Sequence, residues 1–267
     1  MAQTHTIQTA AAALLGLAGL SLAPAAHAQI TWHVDNDATP GGDGLSWATA
    51  FDDLQPAMEL ALVGDEIWVA EGVYVPSVIG PLGVDTRPYF TMPDGVAILG
   101  GFRGDETSAD QRDPDTFETV ISGDLLRDDL MTPITGDASS SPAMAALLTS
   151  KLDNANLLFF VDRTGPGTRI EGVMLTGLLK SDPEPNAGPQ SRGAVFVVGG
   201  EIEIVDCKIT GNLGGANAIL FATACEPLDR VAPLFADHPC VTGDASEQPS
   251  LITMRDTELV DNFTAFA

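Results

Sequence analysis

The stretch IEIVDCKITGN (residues 202–212) has apolar residues at 202, 204, 207 and 209, with gaps of 2, 3 and 2. A single strand keeps a period of 2, because successive side chains point to opposite faces. Here the phase shifts once, beside Asp206. The pattern recurs twice. In TRIEGVMLTGL (168–178), Thr168, Ile170, Val173 and Leu175 fall on Ile202, Ile204, Cys207 and Ile209 without a gap. In LITMRDTELVDN (251–262), Ile252, Met254, Thr257 and Leu259 take the same four places, and Asn262 coincides with Asn212. The residues at the phase change, Gly172, Asp206 and Asp256, are turn formers. The spacing therefore predicts a corner: one short strand ends, the backbone turns, and a second strand starts with its inward side reset. Ile204, Cys207 and Ile209 are expected inside, and Glu203, Asp206 and Lys208 outside. Recurrence of one such unit predicts a stacked architecture.

The rest of the chain fits coils of this kind. Short strands are expected over 96–99, 119–122, 157–161, 169–175, 194–198, 202–210, 218–221 and 251–260. GAVFV (193–197) and NAILF (217–221) start 24 residues apart, which suggests one full coil. The corner motifs are spaced unevenly, and insertions at 125–156 and 222–249 account for the difference. Loops this long inside a compact domain are uncommon and often functional. Parallel coils with inward Ile, Val and Leu columns make a β-helix solenoid. One helix is expected, over 48–63, with Asp52 or Asp53 as its N-cap, Pro56 in its first turn, and Leu54, Ala57, Met58 and Ala61 on one face. A helix laid across an open sheet end blocks unwanted pairing, and this one is assigned that capping role. The organisation expected is a leader at 1–28, a cap and first coil at 29–87, and coils over 88–267, incomplete at the C-terminal end.

The chain has 37 acidic and 12 basic residues and a formal charge of −25, which argues against nucleic acid or an anionic membrane as partner. The first 28 residues read as a secretory signal. An apolar run of Ala, Leu and Gly precedes Ala26-His27-Ala28, a small-x-small cleavage site, although the segment before the run lacks Lys and Arg. The run is too short to span a bilayer. The protein is thus expected to be secreted or at the cell surface. Of three cysteines, Cys207 takes an inward position. Cys225 and Cys240 share one insertion and are expected to form a disulfide after export, worth roughly 3 kcal/mol for a loop near that length.

Several blocks carry a resemblance to a known group. They are DGLSWATAFDDLQPAM with GDEIWVAEGVY, then GVAILGGFRGDETSADQRD with TVISGD, and IEGVMLTG, GAVFV and IVDCKITGN. From about Thr31 onward the chain resembles secreted bacterial right-handed parallel β-helix proteins of pectate-lyase-like fold, with repeats similar to those of polymorphic outer-membrane proteins. The GGAI and FxxN signatures of the latter are softened here to RGAV, GGANAI, ITGN and LVDN. The resemblance implies an all-β, right-handed parallel β-helix and export more strongly than it implies an activity.

Two chemistries deserve candidates. A polysaccharide lyase on such a fold needs a basic group near carboxylates, on outward corner positions. In the repeat alignment Asp206 falls on Asp256 and Lys208 on Glu258, with Arg255 beside them, so these five form one patch if the coils stack in register. The alternative is an ordinary solvated face with cross-strand charge pairs. For calcium, Asp35, Asp37 and Asp43 share one Gly-rich loop, and Asp105, Glu106, Asp110, Asp113 and Asp115 share another. The EF-hand pattern fails, since Thr39 and Pro40 stand where an oxygen ligand and Gly belong. The histidine-dependent hydrolase pattern and the GxSxG nucleophile are both absent from the sequence. The leading expectation is a non-catalytic exported scaffold that presents loops for adhesion to an extracellular polysaccharide or a cell-surface protein. The alternative is a carbohydrate-active enzyme on the same fold. At the C-terminal end, further coils or self-association are expected, because the last strand would offer an open edge.

Overall fold

A computed structural model describes residues 28–77, 88–129, 149–179, 193–214, 220–223, 250–260 and 262–264. In chain order the elements are β1 (Thr31–Val34), a 3-10 turn (Trp47–Thr49), α1 (Leu54–Leu60), β2 (Glu66–Ala70), β3 (Gly72–Tyr74), β4 (Phe90–Thr91), β5 (Ala97–Phe102), a second 3-10 turn (Ala109–Gln111), β6 (Thr119–Ser122) and β7 (Phe159–Asp162). There follow β8 (Arg169–Glu171), β9 (Met174–Thr176), β10 (Val195–Val198), β11 (Glu201–Val205), β12 (Lys208–Thr210), β13 (Leu213–Gly214), β14 (Leu220–Thr223), β15 (Leu251–Arg255), β16 (Glu258–Val260) and β17 (Phe263–Thr264). No helix among the described residues is long and apolar enough to cross a membrane.

Every strand pair is parallel. Sheet A runs β1-β2-β5-β8-β11-β15, sheet B runs β3-β6-β9-β12-β16, and sheet C runs β4-β7-β10-β14, with β13 and β17 as a short fourth pair. From β2 onward the chain visits A, then B, then C, and returns to A one strand further on. This is an all-β, parallel β-helix-like fold. The inward side chains stack coil on coil. Ile67, Ile98, Ile170, Ile204 and Met254 are register partners along sheet A. Ile121, Leu175, Ile209 and Leu259 are partners along sheet B. Both columns reproduce the alignment of the three sequence repeats. Ile204, Cys207 and Ile209 are buried, Asp206 and Lys208 are exposed, and Glu203 is half-buried.

The corners have the geometry that the phase shift requires. Gly172, Asp206 and Asp256 adopt left-handed backbone angles, with φ of 67°, 50° and 51°. Gly or a short polar residue is favoured there. The second corner is closed by asparagines. Asn212 is fully buried, accepts from the Leu178 amide (3.1 Å) and donates to the Leu175 carbonyl (3.2 Å). One coil later Asn262 donates to the Ile209 carbonyl (2.7 Å) and accepts from the Asn212 side chain (3.0 Å).

Two details differ from the sequence reading. The helix covers Leu54–Leu60 alone, not 48–63. Asp53 is its N-cap, accepting from the Gln55 amide, and the chain turns extended at Ala61. Buried Asp65 draws the chain away from a further turn by accepting from the amides of Leu62 (2.9 Å) and Ile30 (2.8 Å) and from the Trp32 indole (3.2 Å). The strand–corner–strand units expected at 169–175 and 202–210 are present as β8 and β9, broken at Gly172, and as β11 and β12, broken at Asp206. The sheet C pairing sets Val195 opposite Leu220, a 25-residue step that moves the GAVFV and NAILF alignment by one residue. Residues 1–27 of the leader expected at 1–28, Cys225, Cys240 and most of both insertions lie outside the described residues.

Candidate functional site

The corner between sheets A and B forms the floor of a groove of about 230 Å³. Its residues come from three successive coils. Gly172, Asp206 and Asp256 occupy the turns, and Met174, Lys208 and Glu258 are the outward residues that follow them. Met174 pairs with Lys208 and Lys208 with Glu258, so the three stand in one row along the rod, about 4.8 Å apart. Val173 and Cys207 lie beneath.

The far wall is the loop between β5 and β6, which contributes Pro114, Asp115 and Glu118. Several contacts fix this loop. The Asp113 amide donates to the Gly101 carbonyl (2.7 Å), and the Trp47 indole donates to the Glu106 carbonyl (2.9 Å). Ser108 and Gln111 make a capping box around the 3-10 turn. Arg112 reaches across to Glu171 of the next coil, which also pairs with Arg169 at 3.1 Å. The wall is thus tied to the coil whose corner it overhangs.

Five carboxylates (Asp115, Glu118, Asp206, Asp256 and Glu258) and one ammonium, Lys208, line the groove, and all six are exposed. A field this negative concentrates cations and repels polyanions. Among the described residues, the lining contains no histidine and no arginine. Its thiol, Cys207, is buried, and burial pushes its pKa up to about 11, which withholds the nucleophilic thiolate at neutral pH.

Of the five residues expected in one patch, Asp206, Lys208, Asp256 and Glu258 meet in this groove. Arg255 does not line it; its guanidinium pairs with Glu203 (2.9 Å) on the outer face of sheet A. The two Asp-rich loops are occupied by local turns. Asp35 accepts from the Asp37 amide (2.9 Å) and Asp43 from the Leu45 amide (3.1 Å). The Thr49 hydroxyl and the Leu45 amide hold the Asp43 carboxyl below the usual carboxylate range. In the second loop Asp105 pairs with Arg103, Asp110 accepts from the Ser108 hydroxyl, and Asp113 accepts from the Thr116 hydroxyl (2.8 Å).

Among the described residues the three carboxylates that do converge are Asp124, Asp128 and Asp153, with oxygens within 4.8 Å of one another. Partial desolvation and the neighbouring Asp153, Asp124 and Asp129 raise the pKa of Asp128. Sequence reading missed this trio because Asp153 returns from the far side of the 125–156 insertion. It also missed Asp115 and Glu118 as groove wall, since nothing local in the sequence says which corner a loop overhangs.

No family model and no curated protein matches the chain. Among solved structures, the chain is similar to the crystal structure of pectate lyase Pel9A, with 12% identity and a TM-score of 0.29. The match covers 73% of this chain and 50% of the lyase, so the chain spans about half the length of that enzyme.

Proposed function

We propose that this chain is an exported, right-handed parallel β-helix scaffold, capped at its N-terminal end, whose groove binds an extracellular ligand without cleaving it. The signal-like leader supports export and a secreted or cell-surface location. The hydrogen bonds that loop 44–51 makes to β1, with α1 packed beside it, support the cap. The observation that carries the binding reading is the groove's charge, which among the described residues is five exposed carboxylates around a single lysine. Such a lining suits a cationic segment of a cell-surface protein or an amino-sugar polymer, and it disfavours a polyuronate. The experiment is to incubate the protein with polygalacturonate, with and without calcium, and with a cationic polysaccharide such as chitosan. The expected outcome is binding of the cationic polymer, lost on reversing charge at Asp206 and Asp256, and no unsaturated uronide by ultraviolet absorbance.

A second reading, a polysaccharide lyase, is favoured by the position of Lys208 beside Asp206 and Glu258 in the groove. It predicts that unsaturated product forms and disappears in Lys208→Ala. That result would replace the binding reading.

A further inference from the structure

Every crossing from sheet A to sheet B lies among the described residues. Beside these crossings runs the outward column of sheet B, and its chemistry changes along the rod. Val73, Val120, Met174, Lys208 and Glu258 are register partners in that order. The first three are apolar and half-buried, and the last two are charged and exposed. The groove follows the same change. Gly172, Val173 and Met174 lie at one end of its floor, with half-buried Pro114 on the wall, and Asp256 and Glu258 lie at the other end, beyond Lys208. Among the described residues, no aromatic side chain lines it.

Taking the groove as a binding site, as above, we propose that its occupant is an extended peptide segment of a partner protein, laid along the rod across the strands of sheet B, with two apolar side chains at one end and Lys or Arg at the other. The spacing fits. Five strands about 4.8 Å apart make a column about 19 Å long, and seven extended residues at about 3.3 Å each span a similar distance. Their first, third, fifth and seventh side chains face the floor. The first two of these cover Val73, Val120 and Met174. The fifth position falls at Lys208 and takes a small neutral residue, because a cation there would be repelled. The seventh carries its positive charge to Asp256 and Glu258. To the side, the extended backbone presents N–H groups, and Asp115 and Glu118 on the wall are acceptors for them. A sugar polymer fits this path less well. Over Val120 and Met174 its hydroxyls would lose water without gaining a side-chain hydrogen-bond partner.

Titration of the full chain, followed by calorimetry or NMR, with capped peptides tests the proposal. VSVSGSR and RSGSVSV present the pattern in the two chain directions. SVSVGSR and RSGVSVS have the same composition and charge but put the apolar residues out of phase with the Arg. A chitosan tetrasaccharide with one free amino group carries the same charge on a sugar. One of the two in-phase peptides should bind about tenfold or more tighter than its isomer and than the tetrasaccharide. Met174→Gln should remove the preference for the in-phase peptide, and Glu258→Gln combined with Asp256→Asn should weaken all four peptides. Both changes are on outward positions, and melts that match the parent verify the fold. Equal affinity for in-phase and out-of-phase peptides would overturn the ordered segment and leave the charged groove standing as a binding site. Tighter binding of the tetrasaccharide would overturn it in favour of an amino-sugar polymer. Absence of binding by every cationic probe, long chitosan included, would overturn both the segment and the binding groove.

Discussion

At the scale of single residues, three coils turn the same corner with different side chains. A Cβ on Gly172 would lie 2.7 Å from the Arg112 guanidinium and 2.9 Å from the Pro114 ring. Asp206, one coil on, turns its side chain into the open groove. Gly172→Ala should therefore destabilise by about 2 kcal/mol, from left-handed strain and the close approach of the Pro114 ring, whereas Asp206→Gly should stay within about 1 kcal/mol of the parent. Urea unfolding of the two variants checks the contrast. Ile209→Ala removes a fully buried member of the sheet B column and should cost about 2–5 kcal/mol by the same measurement.

Cys207 adds a pH dependence. Its folded pKa of about 11 lies above the ordinary 9.0, so the folded state holds the thiol proton more tightly than the unfolded state. The contribution is full below pH 9.0 and is lost as pH rises toward about 11, with a total of roughly 2–3 kcal/mol. The parent should lose its stability advantage over Cys207→Ala through that window, as read by denaturant melts of both at each pH.

At the scale of elements, the β5–β6 loop decides the shape of the groove. Its tie to the neighbouring coil is Arg112, whose pair with Glu171 is largely buried. Arg112→Ala leaves Glu171 its contact with Arg169 and should cost about 1–3 kcal/mol while opening residues 103–118 to protease before the strands unfold. Limited proteolysis with mass detection reports it.

The strand corners and their columns were legible in the sequence because stacking forces Ile170, Ile204 and Met254 to one period. Four of the five patch residues followed from that register. The wall did not, because Asp115 and Glu118 reach the groove through contacts made more than fifty residues along the chain from Gly172 and beyond. Arg255 was misplaced for a related reason. It has the right sequence distance from Glu258, but it falls on the strand before the corner and finds Glu203 diagonally across sheet A. The helix was overextended because the buried carboxylate that ends it, Asp65, reads locally as an ordinary turn residue.

At the scale of the whole molecule, the proposed export sets the expected thiol chemistry. Cys207 is a free buried thiol. Protein recovered from an oxidising compartment should show one reactive thiol under denaturing conditions, with Cys225 and Cys240 bridged. Three reactive thiols would mean that the bridge does not form.

The sheet C strands keep register although very different lengths of chain separate them. Phe90 pairs with Phe159 and Val195 with Leu220, spans of 69 and 25 residues. Closing the longer span costs only about 0.9 kcal/mol more than closing the shorter, since loop entropy grows with the logarithm of length. Equilibrium therefore scarcely distinguishes the coils, but order in time does. Contacts across 25 residues form before contacts across 69, so the coils near β10 and β14 should assemble first and the turns around β4 and β7 join them later. The newest part of the folded rod would then be the coil that carries the groove's overhanging wall.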